Sequence, residues 1–174
     1  IYFYDFNFKA NYILDKKNRL FFSRYMGRDV VRIGRGSDAF KMSWGNSTIT
    51  IRYNHLFSEK LFSNFTYVRS HYDYKLGTDE GVGAFKWISD LKDNSLKADM
   101  GYFISPQSNI KFGTMATLHQ FEPGKVKGVG SETIFTEFNV PKSKAVDYAF
   151  YAAHDQKLFG LLTVNYGLRY SIFQ

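Results

Sequence analysis

The chain contains no cysteine, which excludes a disulfide framework and any thiolate metal site. No uninterrupted apolar run approaches the roughly 20 residues a spanning helix requires, so a helical membrane protein is excluded too. Nor is there a fixed-period repeat, a low-complexity segment or a linker, and the chain is read as one unit over residues 1–174. Ile1 opens directly into a strand pattern, with no basic stretch and apolar segment of a signal peptide. The net charge of +7 raises the prospect of nucleic acid. The basic residues are scattered through strand-like segments and loops, so no nucleic-acid partner is expected. The pairs Gly34/Gly36, Gly81/Gly83 and Gly128/Gly130 precede no helix and carry no following Lys-Ser/Thr. They are read as loop flexibility rather than phosphate cradles.

What the sequence has in excess is aromatic rings. Eighteen Phe, thirteen Tyr and two Trp run from end to end, more than the core of a soluble sandwich uses. A transmembrane barrel needs rings all round its outside, and it escapes hydropathy detection because only alternate residues face lipid.

Period-two alternation is clear over residues 2–14, where Tyr2, Tyr4, Phe6, Phe8, Ala10, Tyr12 and Leu14 oppose Phe3, Asp5, Asn7, Lys9 and Asn11. Further strands are read over 19–29, 44–57, 61–75, 85–103, 110–121, 144–156 and 161–173. Short turns fall near 15–18, 58–60, 104–109 and 157–160, and longer connections at 30–43, 76–84 and 122–143. Short and long connections alternate, as in outer-membrane barrels with short periplasmic turns and long extracellular loops. The fold expected is all-β, an antiparallel meander of about eight long transmembrane strands, part of a larger outer-membrane barrel. The lipid-facing set is Ile49, Ile51, Tyr53, Leu162, Val164, Tyr166, Leu168, Tyr170 and Ile172; the lumen-facing set is Lys9, Arg52, Lys97, Asp99, Lys111 and Arg169. Alternation leaves the facing of 19–29 and 61–75 open, with Arg24 awkward on the outer side.

No catalytic constellation is read. His55, His71, His119 and His154 fall on separate strands without metal-ligand spacing, and His119 has no nucleophile-elbow serine. Neither an enzyme, a metal site nor a cofactor is expected. Asn46-Ser47-Thr48 and Asn64-Phe65-Thr66 match the glycosylation sequon but sit within strands, and are read as coincidence. Arg28, Arg32, Arg35 and Lys41 make a basic segment suited to lipopolysaccharide phosphates or an anionic ligand.

With the strands placed, NRLFFSRYMGRD at 18–29, WGNSTITIRYNHLFSEKLFSNFTYVRSHYDYKL at 44–76, LKADMGYFISPQSNIKFGTMATLHQFEPG at 96–124 and VDYAFYAAHDQKLFGLLTVNYGLRYSIF at 146–173 resemble the barrel of TonB-dependent receptors. The resemblance implies a barrel of about 22 strands around a plug. It also implies residence in the outer membrane of a Gram-negative bacterium, contact with outer-membrane lipid and lipopolysaccharide, and energised import of a scarce ligand. Plug and TonB would belong to a part of the polypeptide outside residues 1–174, since neither a plug nor a TonB-contact segment is found here. The terminal Phe173-Gln174 lacks the closing aromatic common in such barrels. The rival expectation is a free-standing eight-stranded outer-membrane barrel with a structural or binding role. A lipocalin-like soluble barrel is opposed by the outward aromatics.

Overall fold

The computed structural model describes residues 1–36, 39–80, 83–129 and 134–174. Among the described residues every regular element is a strand: β1 (Tyr2–Ile13), β2 (Asn18–Ile33), β3 (Phe40–Leu56), β4 (Leu61–Gly77), β5 (Phe85–Ser105), β6 (Ser108–Gly128), the two-residue β7 (Phe138–Asn139), β8 (Ser143–Leu158) and β9 (Leu162–Phe173). All pairings are antiparallel, in the order β1-β2-β3-β4-β5-β6-β8-β9, with β7 bonded to the far end of β6. β1 and β9 stand at the two ends of that order and do not pair with one another.

The short turns have local causes. The Asp15 carboxylate accepts the backbone N–H of Lys17 at 2.7 Å and of Asn18 at 2.9 Å, an Asx-turn that sends the chain straight back. The Ser58 hydroxyl does the same for Leu61 at 3.1 Å, and Ser105 for Gln107 at 3.2 Å. The last hairpin turns on Phe159 and Gly160, with φ of 52° and 71°. Two successive positive φ values are those of a type I′ turn, where Asn-Gly is the favoured pair and a Phe is strained. Phe159→Asn is therefore expected to stabilise the fold by about 1 kcal/mol. A denaturant midpoint that does not rise would show that the ring holds the turn by some contact of its own.

Two expectations are corrected at the long-connection end. Residues 30–33 and 40–43 continue β2 and β3 rather than forming an open segment, and β6 runs on to Gly128 where a loop was expected from 122. A register shift against β5 between Ile88 and Asp90 explains the second miss. The bulge changes parity, so Gln120 and Glu122 share a face with Lys125 and Lys127, and simple alternation disappears from the sequence. Gly81 and Gly130, read as loop residues, lie outside the described residues. Gly34 and Gly36 take φ of 98° and 72° in the connection after β2.

A single-layer sheet of this kind has almost no interior. Among the described residues the buried apolar side chains are Ala39, Ala84 and Ala149 only, while rings such as Phe6, Tyr12, Phe65, Phe112 and Tyr170 are exposed. Hydrophobic burial is the main term favouring folding. A sheet that leaves these rings bare requires another apolar medium against that face.

Candidate functional site: two faces of one wall

The register assigns every strand residue to a face, because residues directly opposite one another point the same way. One face carries the row Tyr12, Leu20, Tyr53, Phe65, Ala98, Thr114, Phe150 and Tyr170. All nine residues named as lipid-facing stand on it. Ile51 lies between Phe22 and Tyr67, and Leu168 opposite Ala152. The same pairings settle the two strands left open. Leu20, Phe22, Arg24 and Met26 share this apolar face, as do Phe65 and Tyr67, whereas Tyr25, Val68, Tyr72 and Tyr74 take the other.

The apolar residues form a band that slants across the pairing rows. Beside the short turns they end at Tyr12 on β1 and at Leu162 on β9. The row of Leu168 passes through Ala152, Phe112, Met100, Ser63, His55 and Asn18, and meets β1 beside Leu14. Tyr12 lies two residues to the long-connection side of that row and Leu162 six to its short-turn side, so over seven strand steps the edge of the band drops by about one residue per strand. A band level with a membrane plane must do this on tilted strands: at ~4.8 Å spacing and a tilt of roughly 40°, the offset is ~4 Å, or a little over one residue.

On the long-connection side the band ends in charge. Arg28 bonds Asp73 at 2.6 Å, His71 and Lys92 share Asp90 at 2.6 and 2.9 Å, and Lys142 bonds Glu122 at 2.6 Å. Of the four basic residues singled out in the sequence, Arg28, Arg32 and Lys41 stand on this face and Arg35 in the connection beyond. Arg28 and Lys41 are already engaged with carboxylates, Asp73 and Asp79, and Arg32 donates to the Gly36 carbonyl. Asp79, outside the strands, is held below the usual carboxylate range by hydrogen bonds first from Lys41 and then from Lys86. A depressed folded pKa contributes stability above the unfolded value and loses it as pH falls through the folded value. This latch is therefore expected to open in acid below the ordinary carboxylate range, and Asp79→Asn to remove that dependence. Amide exchange in residues 76–86, followed against pH in both proteins, checks it.

The opposite face is wet. Lys9, Arg52, Lys97, Asp99, Lys111 and Arg169 all stand on it. Lys97 pairs with Asp99 at 3.0 Å, Lys111 with Asp155 at 2.6 Å, and Arg52 lies 4.6 Å from the Phe21 ring centroid. Ser95 bonds Thr117 at 2.8 Å, and His119 bonds Asp93 at 2.8 Å. The histidines remain apart: His55 bonds Asn18 at 2.6 Å, His71 bonds Asp90, and His154 bonds Ser108 at 2.7 Å.

Sequence reading missed one device on the wet face. Rings cover glycines on neighbouring strands, so that an added Cβ would come within 2.3 Å of Phe62 at Gly101, 2.5 Å of Tyr151 at Gly113 and 2.1 Å of Trp87 at Gly124. Phe62 and Tyr151 are the direct cross-strand partners of their glycines, a pairing legible only once register is known. Gly101→Ala is expected to cost about 1–2 kcal/mol because the ring must swing away. If the loss in Phe62→Ala/Gly101→Ala equals the sum of the single losses, the ring does not rest on the glycine.

Among known proteins, no family model and no curated protein matches the sequence. In fold, the chain is similar to the crystal structure of BauA, the ferric preacinetobactin receptor from Acinetobacter baumannii, with a TM-score of 0.69 and 15% identity. The match covers 98% of this chain and 33% of that one. The chain has the fold of about a third of that receptor's length.

Proposed function

We propose that the chain is part of the barrel wall of an outer-membrane, TonB-dependent receptor that imports a scarce ligand by active transport. The observation that carries the reading is the slanting apolar band on one face of a sheet without a core. It has the offset a level membrane belt needs on tilted strands, and it ends in charge on the side of the long connections. The fold likeness to a ferric siderophore receptor supports the same reading. Ile49, Ile51, Tyr53, Leu162, Val164, Tyr166, Leu168, Tyr170 and Ile172 then face lipid. Arg32, Arg35 and the ion pairs of Arg28 and Lys41 meet the phosphates of the lipopolysaccharide leaflet. The wet face looks toward a plug, through which the TonB protein acts. No reaction is catalysed by this wall.

Residues 1–174 contain no cysteine, and any elsewhere in the polypeptide is first replaced by serine. Single cysteines placed at Ile51 and Leu168, and at Thr50 and Thr163, are exposed to a membrane-impermeant maleimide in isolated outer membranes. Labelling is expected at the two threonine positions and not at the other two. Equal labelling of both sets, or recovery of the protein outside the outer-membrane fraction, overturns the reading. Transport itself is tested by uptake of limiting nutrients in cells lacking the protein, with and without an energised inner membrane.

A further inference from the structure

The wet face is divided by charge in a way the wall role does not require. The row Asn7, Tyr25, Thr48, Ser70, Asp93 and His119 marks the division. From the next row toward the short turns, the face holds Lys9, Arg19, Arg52, Lys97, Lys111 and Arg169 beside the carboxylates Asp99, Asp147 and Asp155. From the dividing row toward the long connections, its strand residues include no Lys or Arg, but three carboxylates: Asp5, Asp29 and Asp93. Asp93 is bonded to His119, whereas Asp5 and Asp29 have no ion-pair partner among the described residues.

The same upper region gathers rings. Both tryptophans of the chain, Trp44 and Trp87, are there. Trp44 stands directly opposite Tyr74 on one side and Asp29 on the other. Trp87 covers Gly124, where an added Cβ would come within 2.1 Å of its indole. Tyr72, 42% exposed, occupies the row between this group and the dividing row. Rings anchored on a sheet make stacking platforms, and a carboxylate beside an indole adds attraction for a cation lying on the ring while repelling an anion.

We propose that this patch is a stacking seat for a flat, ring-bearing ligand without net negative charge, bound between Trp44 and Trp87 with any cationic group toward Asp29. The proposal rests on the receptor reading and gives the class of ligand that the reading leaves open. The uncommon element is the sign: the outer face at the same end is rich in Lys and Arg, so the sheet separates an anion-attracting exterior from an anion-repelling interior.

The test uses the natural full-length chain, purified in an uncharged maltoside detergent. Two fluorescent probes of similar flat shape are compared by anisotropy, the cationic proflavine and the anionic fluorescein. Proflavine is expected to bind at least ten-fold more tightly than fluorescein. Trp44→Leu is expected to weaken proflavine about ten-fold, and Asp29→Asn about three-fold, with the difference between probes reduced by added salt. Heat-modifiable migration of each variant on gels controls for folding. Fluorescein binding as tightly as proflavine, or proflavine binding unchanged in folded Trp44→Leu, overturns the seat. Failure of the wall reading is seen separately, as fractionation away from the outer membrane, and does not alter what the two probes decide.

Discussion

Ile51→Arg and Leu168→Arg are each expected to lower folding stability in lipid vesicles by roughly 2–4 kcal/mol, and Thr48→Arg by much less. Ile51 and Leu168 lie within the apolar band, with Phe22, Tyr67 and Ala152 as direct cross-strand neighbours. A guanidinium there must be desolvated or bend the bilayer toward itself. Thr48 is on the other face, between Tyr25 and Ser70, where water solvates a new charge. The chain supplies its own control in Arg24, which stands between Phe8 and Ile49 on the apolar face with no carboxylate opposite. Its long stem lets the charge reach toward the headgroups, and Arg24→Leu is expected to raise stability. Urea titrations of vesicle-inserted protein measure all four changes. Similar losses on both faces would remove the membrane assignment of the band.

The second large effect concerns the sheet's two ends. β1 offers one unpaired edge and β9 the other. Unpaired N–H and C=O groups in hydrocarbon cost several kcal/mol each, so a membrane sheet must close on itself or find a neighbour. Residues 1–174 expressed alone are expected to give aggregates or mixed oligomers in vesicles and no transport. A heat-modifiable monomer of this segment, with disulfide crosslinks between cysteines placed on β1 and β9, would show a closed eight-stranded barrel and refute the larger-wall reading.

Most of the architecture was legible in the sequence because burial on one side enforces alternation. Wherever one face is apolar and the other wet, as at Leu162–Ile172 against Thr163–Ser171, a one-residue slip would turn every side chain to the wrong medium. The strands near 19–29 and 61–75 resisted because both of their faces carry rings: Phe21 and Tyr25 oppose Phe22, and Phe65 and Tyr67 oppose Tyr72 and Tyr74. Only register against Ile49 and Ile51 resolves them. The upper parts of β2, β3 and β6 resisted for a different reason. Beyond the band both faces are polar or mixed, so nothing in the composition distinguishes strand from loop, and the bulge at Ile88–Asp90 shifts the parity as well. The candidate ligand surface was hidden by the same fact. Trp44 and Tyr74 are distant in sequence and meet through pairing alone, and pairing sets Trp87 opposite Leu76 in the next row.

The strand order has a consequence for how such a wall is made. Each long strand pairs with the long strand before and after it in the chain, and only the small β7 departs from this pattern. Every long-strand contact is therefore a hairpin contact or its extension, and low loop-closure entropy favours growth one hairpin at a time, in the order of synthesis. A nascent chain can add strands to a moving front without waiting for a remote partner. The one event that cannot be local is the meeting of the two outer edges with whatever completes them, and that seam is where assembly would be slowest and most dependent on outside help.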